Sequence, residues 1–215
     1  IVVHMCGQSA DMQEFKRLSV QYDFRLIEDA SHAVGASYEG ELVGHGRYSD
    51  ITVFSFHPVK IITSGEGGCI TSNSFDLIKT IKRLRSHGIV KNEIDFENAA
   101  HGGWYYEQQI LGLNYRLSDI HAALGLSQLK KLKKFVERRN EIASLYQEIL
   151  PLELKPQTID KHVLSSYHLF TVQTDQRHTR NKLYDHLHSN NVLVQIHYMP
   201  VHTQPYYREL GFQLG

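Results

Sequence analysis

Cysteine is scarce. Two thiols, Cys6 and Cys69, in 215 residues cannot build a disulfide framework, and they fit reduced cysteines of a cytoplasmic protein better. An excess of one charge sign is also missing. The 23 basic residues balance 23 acidic ones, which removes the electrostatic case for binding nucleic acid or an anionic membrane. No apolar run approaches the roughly 20 residues that a bilayer-spanning helix needs, and the opening IVVHM has no basic leader, so no secretory signal is expected. The histidines number 14, but they are scattered, which argues against one metal cluster. There is no internal repeat or low-complexity tract. What is present is 41% hydrophobic and 21% charged, enough to bury a core in one domain or a domain and a half. Both ends read as cut: the chain opens inside an apparent strand and stops at GFQLG without a closing element.

Periodicity supplies the elements. Asp11 caps a helix over DMQEFKRLSVQY, in which Met12, Phe15, Leu18 and Tyr22 recur at helical spacing. FRLIED reads as a short buried strand, followed by a polar, Gly-containing loop through Gly46; DITVFSF and GGCITS are the next strands. SFDLIKTIKRLRSHG is a helix closed by Gly88, with basic residues in its last turns. Residues 91–112 are irregular, with the aromatic stretch GGWYYEQQ. Two helices follow, RLSDIHAALGLSQL and KKLKKFVERRNEIASLYQEIL; the second sets Phe135, Val136, Ile142 and Leu145 on one face. After Pro151 and Pro156 come a strand (HLFTVQT), a helix (TRNKLYDHLHSNN) and a strand (VLVQIHY). This alternation predicts an α/β architecture with a mainly parallel sheet, a larger domain over 1–150 and the start of a smaller one over 151–215.

Two stretches concentrate chemistry. EDASHAVGA sets Asp29 and His32 at the end of one strand, and SFHPVKIITSGEGG sets Ser55 and Lys60 just past the next. Ligands of open α/β sheets collect at the carboxyl ends of strands, so an acid and an amine on neighbouring ends can converge on one small molecule. An amine that forms a Schiff base must first lose its proton, and apolar neighbours such as Val59, Ile61 and Ile62 favour that. The electron sink such chemistry needs is supplied by pyridoxal phosphate, whose ring nitrogen stays protonated beside a buried carboxylate. Ser55 and the glycine turn offer a hydroxyl and N–H groups to a phosphate. Spacing alone leaves blander readings open: Lys60 as a solvated lysine, Asp29 as a turn cap, His32 as a packed histidine, Ser55 as a partner for nearby backbone. The KKLKK run reads as a solvated helix face, His186 and His188 face opposite ways on their helix, and GGWYYEQQ is equally a lid, an interface or packing.

These stretches resemble the DegT/DnrJ/EryC1/StrS sugar aminotransferases, in the family's order: EDASHAVGA, FSFHPVKIITSGEGG, RSHGI, LGLNYRLSDIHAALGLSQL and VQIHYMPVH. The resemblance spans nearly the whole chain. It implies a fold-type-I, aspartate aminotransferase-like enzyme using pyridoxal 5'-phosphate. SFHPVKIIT, WYYEQQILGLNYRLSD and QIHYMPVHTQPYY are most similar to members acting in pseudaminic acid-type surface-sugar synthesis. That implies transfer of an amino group from L-glutamate to C4 of a UDP-linked 4-keto-6-deoxy-hexosamine. By the same resemblance Lys60 is the Schiff-base lysine and carries the 1,3-proton shift, Asp29 pairs with the pyridinium nitrogen, and His32 approaches the phenolic oxygen or the ring. Ser55 binds the phosphate, Asn114 reaches the phosphate in a neighbouring subunit and so implies a homodimer with shared sites, and His197 and His202 approach substrate. The family's N-terminal part, with a Gly-Thr backbone on the phosphate and an aromatic on the ring, has no counterpart here. The alternatives are an aminotransferase for another keto-sugar (C3 or C4), a dehydratase of the same family, against which the intact Lys60 argues, and a catalytically incomplete module for binding or assembly.

Overall fold

The computed structural model describes residues 1–213, the side chain of His178 excepted. In chain order the strands are β1 (Val2–Val3), β2 (Ile27–Asp29), β3 (Ser37–Tyr38), β4 (Glu41–Leu42), β5 (Ile51–Ser55), β6 (Gly68–Thr71), β7 (Ile89–Val90), β8 (Glu107–Gln108), β9 (Lys155–Pro156), β10 (Val163–Leu164) and β11 (Val172–Gln173). The helices are α1 (Met12–Gln21), α2 (Phe75–Leu84), α3 (Asp119–Leu129), α4 (Leu132–Ile149), α5 (Arg177–Ser189) and α6 (Pro205–Glu209). Among the described residues no helix is long and apolar enough to cross a membrane.

Two compact units form: residues 1–150 with 156–171, and residues 151–155 with 172–215. The first holds a four-stranded sheet in the order β1-β2-β5-β6. β1 and β5 flank β2 in parallel, and β6 closes the edge antiparallel to β5. β2 and β5 therefore end on the same edge, with Asp29 opposite Val53 and Ser55 two residues further along β5. One apolar cluster joins Val2, Met12, Leu26, Tyr38 and Tyr48; a second gathers Ala30, Ala33, Ala36 and Phe54.

Local chemistry explains most boundaries. Asp11, Ser74 and Ser118 cap α1, α2 and α3, each accepting from the N–H three residues on. α2 stops at Leu84, but Gly88 closes it from beyond: its N–H reaches the Arg83 carbonyl at 2.8 Å, with φ at +71°. A Cβ there would sit 1.7 Å from the Ile110 carbonyl oxygen, so only glycine fits.

Several expectations need correcting. The polar loop before Gly46 contains the β3–β4 hairpin, whose central residues Glu39 and Gly40 both have positive φ. That is the twist two-residue hairpins prefer, and Glu-Gly was its signal. Residues 91–112 include β8, which pairs antiparallel with β7 just before them. On α4, Val136 and Ala143 are buried while Leu145 is exposed. The strand expected over VLVQIHY does not form, because no neighbouring strand among the described residues pairs with that stretch.

Candidate active site

Asp29 ends β2, and its Oδ1 accepts the Ser31 N–H at 3.0 Å. Burial opposes its ionisation, yet the Ser31 hydroxyl and N–H, together with His32 and the charge of Lys60, outweigh that, holding the carboxyl below the usual aspartate range. Lys60 lies in the loop after β5, its N–H on the His57 carbonyl at 3.0 Å. Desolvation pushes its amine below the ordinary lysine value while Asp29 pulls the other way. Each group thus feels the other's charge. Ile61 and Ile62 supply the buried surroundings; Val59, expected to share in this, is 62% exposed.

The loop carrying Lys60 is tied down along its length. Phe56 donates to the Gly67 carbonyl at 2.8 Å, and Ser64 donates to the Phe56 carbonyl at 3.0 Å. The Ser64 hydroxyl donates to the Glu66 carbonyl, and the Gly65 N–H is taken by Thr63 Oγ1 at 2.9 Å. That N–H is therefore already satisfied within the loop. α3 lies against this turn, with Gly125 next to Ser64 and His121 next to Gly65. Ser55, last in β5, accepts the His57 N–H at 3.4 Å; its own O–H still has a proton to give.

His32 Nδ1 accepts the Cys6 N–H at 3.3 Å, so in this geometry the ring proton sits on Nε2. Its ring packs on that of His168, centroids 4.4 Å apart. Sequence reasoning missed His168 and its neighbour Ser166, whose hydroxyl donates to the His32 carbonyl at 3.2 Å. They arrive from more than a hundred residues away in SSYHL, a stretch with no helix or strand period to flag it. Asn114 is exposed and bridges backbone to Ser86, just past the end of α2 and not on the edge that holds Asp29. His197 and His202 belong to the second unit, where both are exposed and His202 sits in the short turn Val201–Thr203.

An amine and an acid thus stand at or past adjacent strand ends, with a histidine and a hydroxyl on the same segments. The model of the DegT/DnrJ/EryC1/StrS aminotransferase family matches residues 1–214. The chain belongs to that family. It is 40% identical over 215 residues to a Campylobacter jejuni protein named UDP-4-amino-4,6-dideoxy-N-acetyl-beta-L-altrosamine transaminase, covering 97% of this chain and 54% of that one. Its fold superimposes on Helicobacter pylori PseC, an aminotransferase involved in the biosynthesis of pseudoaminic acid, with a TM-score of 0.85 at 30% identity over 99% of this chain and 56% of that one. It also matches the PMP-form of the putative sugar aminotransferase Spr1654 of Streptococcus pneumoniae, with a TM-score of 0.86 at 26% identity over 98% and 58%. The chain spans about half the length of the relatives it matches. Its fold is that of the family's aminotransferases, a mixed, mainly parallel sheet with flanking helices.

Proposed function

We propose that the protein is a pyridoxal-phosphate-dependent nucleotide-sugar aminotransferase, taking an amino group from L-glutamate and placing it on C4 of a UDP-linked 4-keto-6-deoxy-hexosamine. The observation that carries this is the Lys60–Asp29 pair: an amine held below its ordinary value within electrostatic reach of a carboxylate kept ionised. The names of the 40%-identical relative and of the 30%-identical solved structure support the sugar and the pathway type, bacterial surface-sugar synthesis.

The donor set fits the cofactor. An ionised Asp29 suits a protonated ring nitrogen, and a partly desolvated Lys60 suits an aldehyde carbon. Pyridoxal phosphate, when bound, supplies a sink for the electrons released when a proton leaves carbon. Asp29 keeps that sink cationic. With the cofactor bound, Lys60 Nζ would be the group that holds and moves the proton during the transfer. His32 steadies the ring, Ser55 donates its hydroxyl to the phosphate, and Asn114 reaches the phosphate bound by a second copy, in a homodimer with shared sites. His197 and His202 meet the substrate. Residues 1–150 form the C-terminal part of the cofactor-binding domain and 151–215 open the smaller domain, in a cytoplasmic enzyme.

The test is product identity. The purified protein is incubated with pyridoxal phosphate, L-glutamate and, in parallel, UDP- and dTDP-linked 4-keto and 3-keto sugars, and the products are identified by NMR. The expected result is a 4-amino sugar from the UDP-linked 4-ketone, with 2-oxoglutarate formed in equal amount. Amination at C3, or of the dTDP sugar only, would redirect the substrate; no amination of any sugar would overturn the reading.

A further inference from the structure

β2 ends in two adjacent carboxylates, Glu28 and Asp29, and only one of them faces Lys60. Successive residues of a strand face opposite sides, so a one-residue slip in one direction would put Glu28 in Asp29's place. β1, which flanks β2, is just two residues long and pairs only Val2 with Glu28 and Val3 with Asp29. Backbone pairing, here and over Ile27–Asp29 against β5, can form in a slipped register too and does not choose between the two acids.

A buried polar network does so instead. His4 is 0% exposed and Glu28 is 4% exposed. His4 Nδ1 accepts the Ala10 N–H at 3.2 Å, which leaves the proton on Nε2 to donate to Glu28 Oε2 at 2.7 Å. The His4 N–H continues to the Asp29 carbonyl at 3.0 Å. On the other side, Glu28 Oε1 accepts from Ser49 and from Thr52, the latter at 3.2 Å on β5. Burial opposes Glu28 ionisation, but these donors hold its carboxyl below the ordinary range. The mesh is directional and satisfied, the condition under which buried polar groups specify one arrangement.

We propose that the His4–Glu28 pair, with Ser49 and Thr52, is a register lock that selects Asp29 rather than Glu28 as the acid presented towards Lys60. Slipping β2 by one residue so that Glu28 stands beside Lys60 would bring Ile27 to the mesh and leave His4, Ser49 and Thr52 without their acceptor. His4 and Glu28 are thus positioning residues, and their role rests on the functional reading given above.

The experiment separates the two. Asp29 is followed by carboxyl carbon NMR across pH, its resonance assigned with Asp29→Asn, in wild type, Glu28→Gln and Thr52→Val. The groups facing Asp29 are Ser31, His32 and Lys60, and they are unchanged throughout. In wild type Asp29 titrates below the ordinary aspartate value; in Glu28→Gln it rises towards that value, and in Thr52→Val it moves the same way by less. Pyridoxal phosphate binding to Glu28→Gln weakens roughly tenfold, as when a partner supporting a site residue is lost. Should Glu28→Gln not fold, Thr52→Val decides. An Asp29 titration unchanged in the folded variants overturns the lock. If Asp29 shifts as expected but wild type takes up no pyridoxal phosphate, the lock stands and the cofactor reading falls.

Discussion

Asp29 and Lys60 carry opposite consequences for stability, and both can be read in a calorimeter. The Asp29 carboxyl lies below its unfolded value near 3.8. Its contribution to stability is therefore complete above that pH and is lost as pH falls through the lower folded value. The stabilities of wild type and Asp29→Asn are expected to differ at neutral pH and converge in acid; a constant gap across that range would contradict the account. Lys60 behaves in reverse. Its folded value lies below the unfolded 10.5, so at neutral pH the folded state carries an ammonium it would rather not hold, a cost that fades as pH rises towards 10.5. Lys60→Met is accordingly expected to raise the melting temperature near pH 7 while abolishing transamination. A lower melting temperature would show that the amine stabilises the loop instead. Packing residues answer to a different rule: Leu26 is 2% exposed inside the apolar cluster under β2, and Leu26→Ala should cost about 2–5 kcal/mol in denaturant unfolding.

Among the elements, the β7–β8 hairpin is organised by a charge and not by a core. Glu107 is buried, and its carboxylate accepts the N–H groups of Glu97 and Asn98, the Asn98 amide, the Tyr105 hydroxyl and the Gln109 amide. The Glu97 N–H leads in drawing its carboxyl down to about 2, burial opposing. The segment before β8 should stay ordered above the ordinary glutamate value near 4.5 and loosen as pH falls towards about 2. In Glu107→Gln it should be cut faster by protease at neutral pH, between Phe96 and Tyr106; an unchanged cleavage rate would contradict this. The segment also shows where sequence reading stops. Helices α1 and α2 were legible because a capping side chain and a 3.6-residue period coincide there. β2 and β5 were legible as short apolar runs with chemistry at their ends. The hairpins were not, since two-residue strands leave no period to detect. Nor was the aromatic segment's order, which depends on one glutamate collecting donors from both sides of a loop. At the site, residue type and motif reached Asp29, His32, Ser55 and Lys60, all within one sheet edge. His168, Ser166 and the His4–Glu28 pair depend on contacts between distant segments that no local pattern encodes.

At the scale of the whole molecule, α3 and the segment before it present Leu111, Leu113, Ile120, Leu124 and Leu126 to solvent, and α3 buries none of its residues. A helix this apolar ordinarily faces a partner. The homodimer proposed above would cover that face and place Asn114 near a second copy. Sedimentation of the purified protein is expected to give a dimer, and the double change Ile120→Glu with Leu126→Glu a monomer. A wild-type monomer would remove the basis for shared sites. Everything at this scale presupposes the covalent role of one side chain. The protein is equilibrated with pyridoxal phosphate, reduced with borohydride, digested and analysed by mass spectrometry. The expected result is a single phosphopyridoxyl group on the peptide containing Lys60, absent from Lys60→Ala. A label spread over surface lysines, or none, would contradict it.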